Sequence, residues 1–211
     1  INIKRETMLI VDNMTNREMY NEILEDAPNV TVKLEHTLAK YRREIIKKTR
    51  FPVIFKAMDY ISPKKNHWII IIRAFSKKDA DVPVINYACV ANAKGGFYAF
   101  MVSWYNNAWT IIMFPPHLFQ RYRDRFLEGD KTLTGIDLIK YFFSRNRRLE
   151  SDENVTDKRI INTSCEDGVC FGEEKEKNFI VLKTFVTYEM LKGKQIDTFE
   201  NLYDLLYKDE I

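Results

Sequence analysis

Apolar positions recur at helical spacing in two stretches of the first 50 residues. Thr15 and Glu18 have the spacing of a capping box, which predicts a helix over residues 16–25 that ends before Pro28. A second helix is predicted from Val32 onward, with its basic residues turned outward through Lys48. Its apolar positions are Leu34, Leu38, Tyr41 and Ile45. The pattern therefore predicts an N-terminal helical pair.

From Trp68 the pattern changes to short β-prone runs at residues 68–75, 84–91, 97–104 and 108–114. The pairs Gly95-Gly96 and Asn106-Asn107 separate the later runs, and both tolerate the positive φ angles of tight hairpin turns. These four runs predict an antiparallel meander.

A proline pair, Pro115 and Pro116, ends the last run, and a helical pattern follows at once. One face of this predicted helix is apolar, because its large side chains recur at about 100° per residue. They are Leu118, Phe119, Tyr122 and Phe126. His117, Arg121 and Arg125 lie along a different face, so one imidazole and two guanidinium groups form a row.

The rest of the chain predicts two helices and two strands. Residues 134–143 are predicted to form a helix with an apolar stripe. Residues 145–158 are polar without periodicity, which predicts an exposed loop. Strands are predicted at 169–172 and 179–186. Asp197 begins a last amphipathic helix.

The fold class predicted from this order is α+β. We expect a mostly antiparallel sheet of about six strands, formed by the meander and a C-terminal hairpin, with helices packed on one face. An N-terminal helical segment, residues 1–66, would precede an α+β domain, residues 67–211. A single continuous domain is the alternative.

Composition is that of an ordinary soluble globular protein, with 211 residues, 45% hydrophobic and 30% charged. No apolar run approaches the roughly 20 residues of a membrane helix, so no membrane partner is expected. The odd number of cysteines, three, and the position of Cys89 within a strand favour reduced thiols and a cytoplasmic location. Because the sequence begins at Ile1, removal of an upstream segment or a secretion signal is left open.

Charge is more informative in its distribution than in its sum of +3. Basic residues concentrate at 40–50, 121–125 and 145–148, interleaved with Tyr and Phe. Cations attract phosphates and aromatic rings stack on unpaired bases, so these stretches suit RNA, with Arg43 and Lys47 as further substrate-binding residues. The alternative is that each stretch is a solvated helix face.

The order of meander, His-containing helix, helix and hairpin resembles the metal-independent toxin ribonucleases of the barnase, EndoU, colicin and RelE-like fold, in the branch associated with phages and polymorphic toxins. The residues that carry the resemblance are the helix from His117 through Arg121 to Arg125, and a late strand that contains Lys183, Thr184 and Thr187. It covers residues 68–191.

The resemblance implies RNA cleavage by attack of the ribose 2′-hydroxyl on the adjacent phosphorus, with no metal ion and no cofactor. By that likeness His117 is the acid or base, Arg121 holds the phosphate, Arg125 supports it, and the strand residues line the site. Because side chains alternate along a strand, Lys183 and Thr187 would face the site, and Thr184 facing the core is the simpler alternative for that residue. An inhibitor protein is a further implied partner.

Two functions follow from the sequence. One is a metal-independent endoribonuclease of toxin type from a phage or mobile element. The other is a non-catalytic binding or accessory protein of a bacterial mobile element, and it is favoured by the lack of an evident second catalytic histidine. His36 and His67 are both expected to be surface residues.

Overall fold

A computed structural model of the chain describes residues 10–11, 13–93, 95–146, 149–153 and 160–192. Within these residues there are four α-helices, ten strands and a short 3-10 helix at Lys77–Ala80. The helices are α1 (Asn16–Lys47), α2 (Pro116–Phe126), α3 (Gly135–Arg145) and α4 (Tyr188–Lys192). The strands are β1 (Val53–Ile54), β2 (Met58–Ile61), β3 (His67–Ala74), β4 (Val84–Ala93), β5 (Gly96–Tyr105), β6 (Ala108–Phe114), β7 (Glu150–Glu153), β8 (Ile160–Cys165), β9 (Gly168–Glu176) and β10 (Phe179–Thr187).

All ten strands belong to one sheet, in the order β1-β3-β4-β5-β6-β10-β9-β8-β7, with β2 also paired to β3. Every pairing is antiparallel except that of β10 with β6. The predicted α+β class, the mostly antiparallel sheet and the meander from β3 to β6 are therefore confirmed. The predicted strand number of about six is wrong: β1, β2, β7 and β8 are additional strands, and β7 lies in the stretch that was predicted as a loop.

Helices cover both faces of the sheet, so the prediction of helices on one face is also wrong. Apolar side chains of α2 and α3, such as Leu118, Phe119 and Phe142, pack against one face. Ile23 and Val30 of α1 pack against the other face, where they meet Trp68 and Phe100. Strands β6 and β10 can pair in parallel because a long connection joins them. This connection contains α2, α3 and strands β7 to β9.

A single helix of 32 residues, α1, replaces the predicted helical pair. The capping box at Thr15 and Glu18 is present as predicted, but Pro28 lies inside the helix. Proline removes one backbone hydrogen bond and clashes with the carbonyl four positions earlier. The helix continues because one apolar stripe, at spacings of four, three and four residues, is buried on the sheet on both sides of the proline. The stripe consists of Ile23, Ala27, Val30 and Leu34.

A buried polar cluster fixes α1 against the turn between β2 and β3. The carboxylate of Asp26 accepts hydrogen bonds from Ser62 Oγ at 2.7 Å, Asn66 Nδ2 at 3.0 Å and Trp68 Nε1 at 2.7 Å on one oxygen. Its other oxygen accepts from Asn29 Nδ2 at 2.8 Å. Burying a carboxylate is tolerated where several donors satisfy it, as they do here.

Replacing Pro28 by alanine is expected to stabilise the protein. Pro28 is exposed, so the change alters no core packing and adds the missing backbone donor. Proline costs about 3 kcal/mol in a helix interior relative to alanine, and the looser unfolded chain of the variant offsets part of that gain. The free energy of unfolding in urea should rise by about 1–3 kcal/mol. An unchanged or lower value would mean that the bend at Pro28 is needed to fit α1 to the sheet.

The division of the chain at residue 66 stays a prediction, and α1 packs on strands from beyond that position. The helix predicted from Asp197 lies outside the described residues. Among the residues that the structure describes, no helix is long and apolar enough to cross a membrane.

Candidate functional site

An open groove of about 570 Å³ lies at the end of the sheet where β6 ends and α2 begins. Its walls are the turn between β4 and β5, the beginning of β5, the first turns of α2 and the first turn of α3. Its lining consists of Gly95, Gly96, Phe97, Tyr98, Pro116, His117, Phe119, Gln120, Arg123, Gly135, Leu138 and Ile139. A volume of this size is typical of a small-molecule or nucleotide site.

Three polar side chains of α2 line the groove at intervals of three residues: His117, Gln120 and Arg123. His117 and Gln120 are exposed. The Arg123 side chain is 21% exposed, and its Nε lies 3.5 Å from Asp124 Oδ1. No carboxylate is found among the described residues of the lining. The groove therefore offers cationic and neutral donors but no acidic acceptor.

Two helix N-termini meet at this groove. The α2 helix begins at Pro116 and the α3 helix at Gly135, and neither N-cap residue, Pro115 or Thr134, makes a side-chain capping hydrogen bond. An uncapped N-terminus presents backbone N–H groups and the positive end of the helix dipole. Pro115 and Pro116 have no N–H and the Leu118 N–H donates to the Pro115 carbonyl oxygen at 3.0 Å, so α2 contributes mainly its dipole, while α3 presents N–H groups as well. Together with Arg123, they make the groove suited to an anion such as a phosphate.

Glycines allow the walls to come close together. Gly135 has a φ of +55° at the start of α3, and a Cβ atom there would lie 3.2 Å from the ring of Phe97. Gly96 has a φ of +129°, and a Cβ atom there would lie 3.2 Å from the Pro116 side chain. Side chains at either position would push α2 or α3 away from β5 and widen the groove.

Arg121 and Arg125, which were predicted to bind phosphate beside His117, do not line the groove. Arg121 lies about 160° around the helix from Arg123. Arg125 Nη1 donates to Thr184 Oγ1 at 3.1 Å and to the carbonyl oxygen of Phe185. Burial lowers the pKa of Arg125, and the positive charge of Arg121 lowers it further. Arg125 therefore braces α2 against β10.

Lys183 and Thr187 also do not line the groove that contains His117. Lys183 is 7% exposed, and its Nζ is 3.2 Å from Glu173 Oε1. Glu173 pairs across the sheet with Val181, which packs with α1, and with Ile160, which packs in a small cluster beside α4. Thr187 Oγ1 accepts from the backbone N–H of Met190 at 3.3 Å, at the start of α4.

The strand alternation predicted for residues 183–187 is wrong because β10 contains a bulge. Leu182 lies opposite Gly172 and Thr184 lies opposite Phe171, so Lys183 is an extra residue between them. Phe185 packs with α2 and α3, on the face opposite to Lys183. Thr184 is 3% exposed, in agreement with the simpler alternative that it faces the interior.

Other predicted binding residues lie farther away. Arg43 and Lys47 are exposed on the last turns of α1, next to the 3-10 helix at the other end of the sheet. His36 is exposed on α1, and His67 Nε2 lies 2.8 Å from Asp59 Oδ1. Neither histidine is part of the groove lining.

A buried network beneath α2 was not predicted. The Tyr122 hydroxyl donates to Asp167 Oδ2 at 2.7 Å, and Arg145 donates to both oxygens of Asp167 from Nε and Nη2 at 2.8 to 3.1 Å. Asn146 Nδ2 also donates to Asp167, at 3.2 Å. Burial raises the pKa of Tyr122 far above its usual range, and the hydrogen bond to Asp167 adds to this. The network joins α2, α3 and the β8–β9 turn, so it holds in place the two helices that form the groove.

Gln120 and Arg123 are candidates that the sequence pattern did not single out, because the row of His117, Arg121 and Arg125 at four-residue spacing directed the prediction to another side of the helix. No protein family, curated protein or solved structure matches the chain. Within the described part of the chain, no group of three or more His, Cys, Asp or Glu side chains could hold a metal ion.

Proposed function

We propose that the protein is an endoribonuclease that binds a phosphodiester of RNA in the groove and cleaves it without a metal ion. The observation that carries the proposal is the placement of His117 and Arg123 in one groove at which two uncapped helix N-termini meet. An imidazole can move a proton near neutral pH, and the cationic groups favour a phosphate beside it.

The chemistry requires a base that takes the proton of the ribose 2′-hydroxyl and an acid that protonates the leaving 5′-oxygen. The attacking oxygen forms a bond to phosphorus as the bond to the 5′-oxygen breaks, which leaves a 2′,3′-cyclic phosphate. His117 supplies one of these two proton transfers. Water supplies the other, since His117 is the one imidazole among the described residues of the lining.

Charge on the phosphorane intermediate is stabilised by Arg123, by the N-terminal N–H groups of α3 and by the positive ends of the α2 and α3 dipoles. Gln120 adds an amide donor between His117 and Arg123 along the helix. Phe97, near the start of β5, offers an aromatic surface for a base next to the phosphate. Of the residues that carry the resemblance to toxin ribonucleases, His117 lies in the groove and the others do not. The proposed toxin type and the origin in a phage or mobile element rest on that resemblance.

Replacing Arg123 by alanine is expected to weaken binding of a labelled single-stranded RNA by about 10- to 100-fold, because a charge-assisted contact to phosphate contributes roughly 1.5–3 kcal/mol. Fluorescence anisotropy of a short RNA measures this. Arg121→Ala is the matched control on the same helix, and it should change affinity less than about threefold. Equal effects of the two substitutions, or a larger effect of Arg121→Ala, would contradict an RNA site in the groove.

A non-catalytic RNA-binding protein is the second candidate function. It is favoured by the positions of Arg121, Arg125 and Lys183, the predicted partners of His117, because these residues make contacts elsewhere. Under this reading Arg123→Ala weakens binding as above, while RNA stays intact in the presence of the wild-type protein.

A further inference from the structure

One end of the molecule, formed by the last turns of α1, the 3-10 helix and the segment before β4, concentrates positive charge. We call this surface the basic end. Arg42 Nε lies 2.6 Å from Asp81 Oδ1, and this neutral ion pair ties α1 to the segment before β4. The remaining carboxylates are Glu44 and Asp79. The exposed cations are Arg43, Lys47, Lys48, Arg50, Lys77 and Lys78.

Six cations against two carboxylates give the basic end a charge of +4, more than the +3 of the whole chain. The rest of the protein is therefore slightly acidic in sum. Such an asymmetry directs the molecule to present this end to a negatively charged partner.

Large apolar side chains are exposed at the same end. Val82 is 82% exposed, in the loop that carries Asp81, while Ile46 and Phe75 are each 42% exposed. Ile46 lies one helical turn after Arg42 and therefore faces the same loop. Ile54 and Val84 are also exposed, and both flank Arg73 on neighbouring strands. Single exposed apolar residues are ordinary, but several gathered at one end of a molecule are typical of an interaction surface.

We propose that the basic end binds an anionic membrane surface. Lipid headgroups would neutralise the cations, and Val82, Ile46 and Phe75 would enter the boundary between headgroups and acyl chains. Stable attachment at a membrane surface takes both signals, charge and apolar burial, and this end has both.

The aliphatic residues distinguish this partner from RNA. A phosphate backbone satisfies lysine and arginine but gives no favourable contact to valine or isoleucine, and bases stack on aromatic rings rather than on aliphatic side chains. Charge alone would fit either polyanion. The aromatic ring of Phe75 would also fit either partner, so the exposed aliphatic side chains of Val82 and Ile46 decide for the lipid surface.

The basic end is separate from the groove, so the inference does not rest on the proposed ribonuclease activity. Strand β4 runs from Val84 at the basic end to Ala93 at the groove, a span of about 30 Å at 3.3 Å per residue. A protein bound through the basic end would keep the groove open to solution.

Co-sedimentation of the full chain with vesicles tests the proposal. We expect binding to vesicles of phosphatidylcholine mixed with phosphatidylglycerol, little binding to phosphatidylcholine alone, and loss of binding in high salt. Lys47→Glu should weaken vesicle binding by roughly 10- to 30-fold, since each charge near the surface contributes substantially. Lys131→Glu, an equal charge change at an exposed site in the α2–α3 loop, should behave as the wild type.

Val82→Ser tests the apolar part without a charge change. Its side chain is almost fully exposed, so the variant should fold normally and bind anionic vesicles several-fold more weakly. The proposal is overturned if the wild type ignores anionic vesicles, binds neutral vesicles equally well, or responds alike to Lys47→Glu and Lys131→Glu. Loss of RNA affinity in Lys47→Glu without any vesicle binding would overturn it in favour of an RNA surface.

Discussion

Replacing His117 by alanine is expected to lower the rate of RNA cleavage by about 10²- to 10⁴-fold, the range that a positioned proton-transfer group supplies. Binding should change far less, because Arg123 and the two helix N-termini remain in the groove. His117 is exposed at the start of α2, so the substitution removes no core contact. Initial rates on a fluorescent RNA, with affinity measured alongside, separate the loss of chemistry from a loss of binding.

His36→Ala is the matched control for that experiment. His36 is an exposed histidine on a helix, outside the groove, and its removal should leave both rate and affinity unchanged. Cleavage that survives in His117→Ala at the wild-type rate would show that the imidazole has no part in the reaction, whatever the RNA affinity.

Replacing Asp26 by alanine is expected to lower the free energy of unfolding by about 3–5 kcal/mol, the cost of removing one partner from a buried polar cluster. The buried donors Ser62 Oγ and Trp68 Nε1 would lose their acceptor, while Asn66 Nδ2 would keep Glu22 and Asn29 is only partly buried. The α1 helix would also lose its main polar attachment to the sheet. Urea unfolding monitored by circular dichroism measures the change.

Glu25→Ala provides the comparison at the neighbouring position. Glu25 Oε2 lies 3.0 Å from Lys64 Nζ, but its side chain is 61% exposed. Exposed ion pairs contribute about 0–1 kcal/mol, so this variant should stay close to wild-type stability. If Asp26→Ala lowered the free energy of unfolding no more than Glu25→Ala, the buried cluster would not be what holds α1 in place.

Local patterns predicted those elements whose boundaries are marked in the sequence. The glycine and asparagine pairs at 95–96 and 106–107 correctly separate β4, β5 and β6, and Asn106 and Asn107 both take positive φ angles in the structure. The proline pair likewise marks the start of α2 within one residue. These features are predictable because turn and cap geometry depends on neighbours in the chain.

Features that depend on distant contacts were missed. Pro28 predicts a helix end, yet burial of a continuous apolar stripe on the sheet keeps α1 intact through it. Strand β7, with the polar sequence Glu150–Glu153, carries no apolar alternation, and it forms by pairing with β8. Tertiary partners outweigh local propensity in both cases.

The candidate site was predicted in part. The helix and His117 were identified, but the choice between Arg121 and Arg123 depends on which side of α2 packs on β10. A helical wheel gives the angles between residues but not the neighbour that each side meets. The predicted alternation of residues 183–187 was also incorrect, because β10 has a bulge at Lys183. An extra residue in a strand cannot be recognised reliably from one sequence.

The chemistry of cleavage tests the central claim most directly. The wild-type protein is incubated with an RNA oligomer and with the DNA oligomer of the same sequence, each with excess chelator, and the products are analysed by mass spectrometry. We predict that only the RNA is cut and that the new ends carry a 2′,3′-cyclic phosphate, because the attacking group is the neighbouring 2′-hydroxyl. Intact RNA in the presence of folded, RNA-binding protein, or cleavage of both oligomers, would contradict the account.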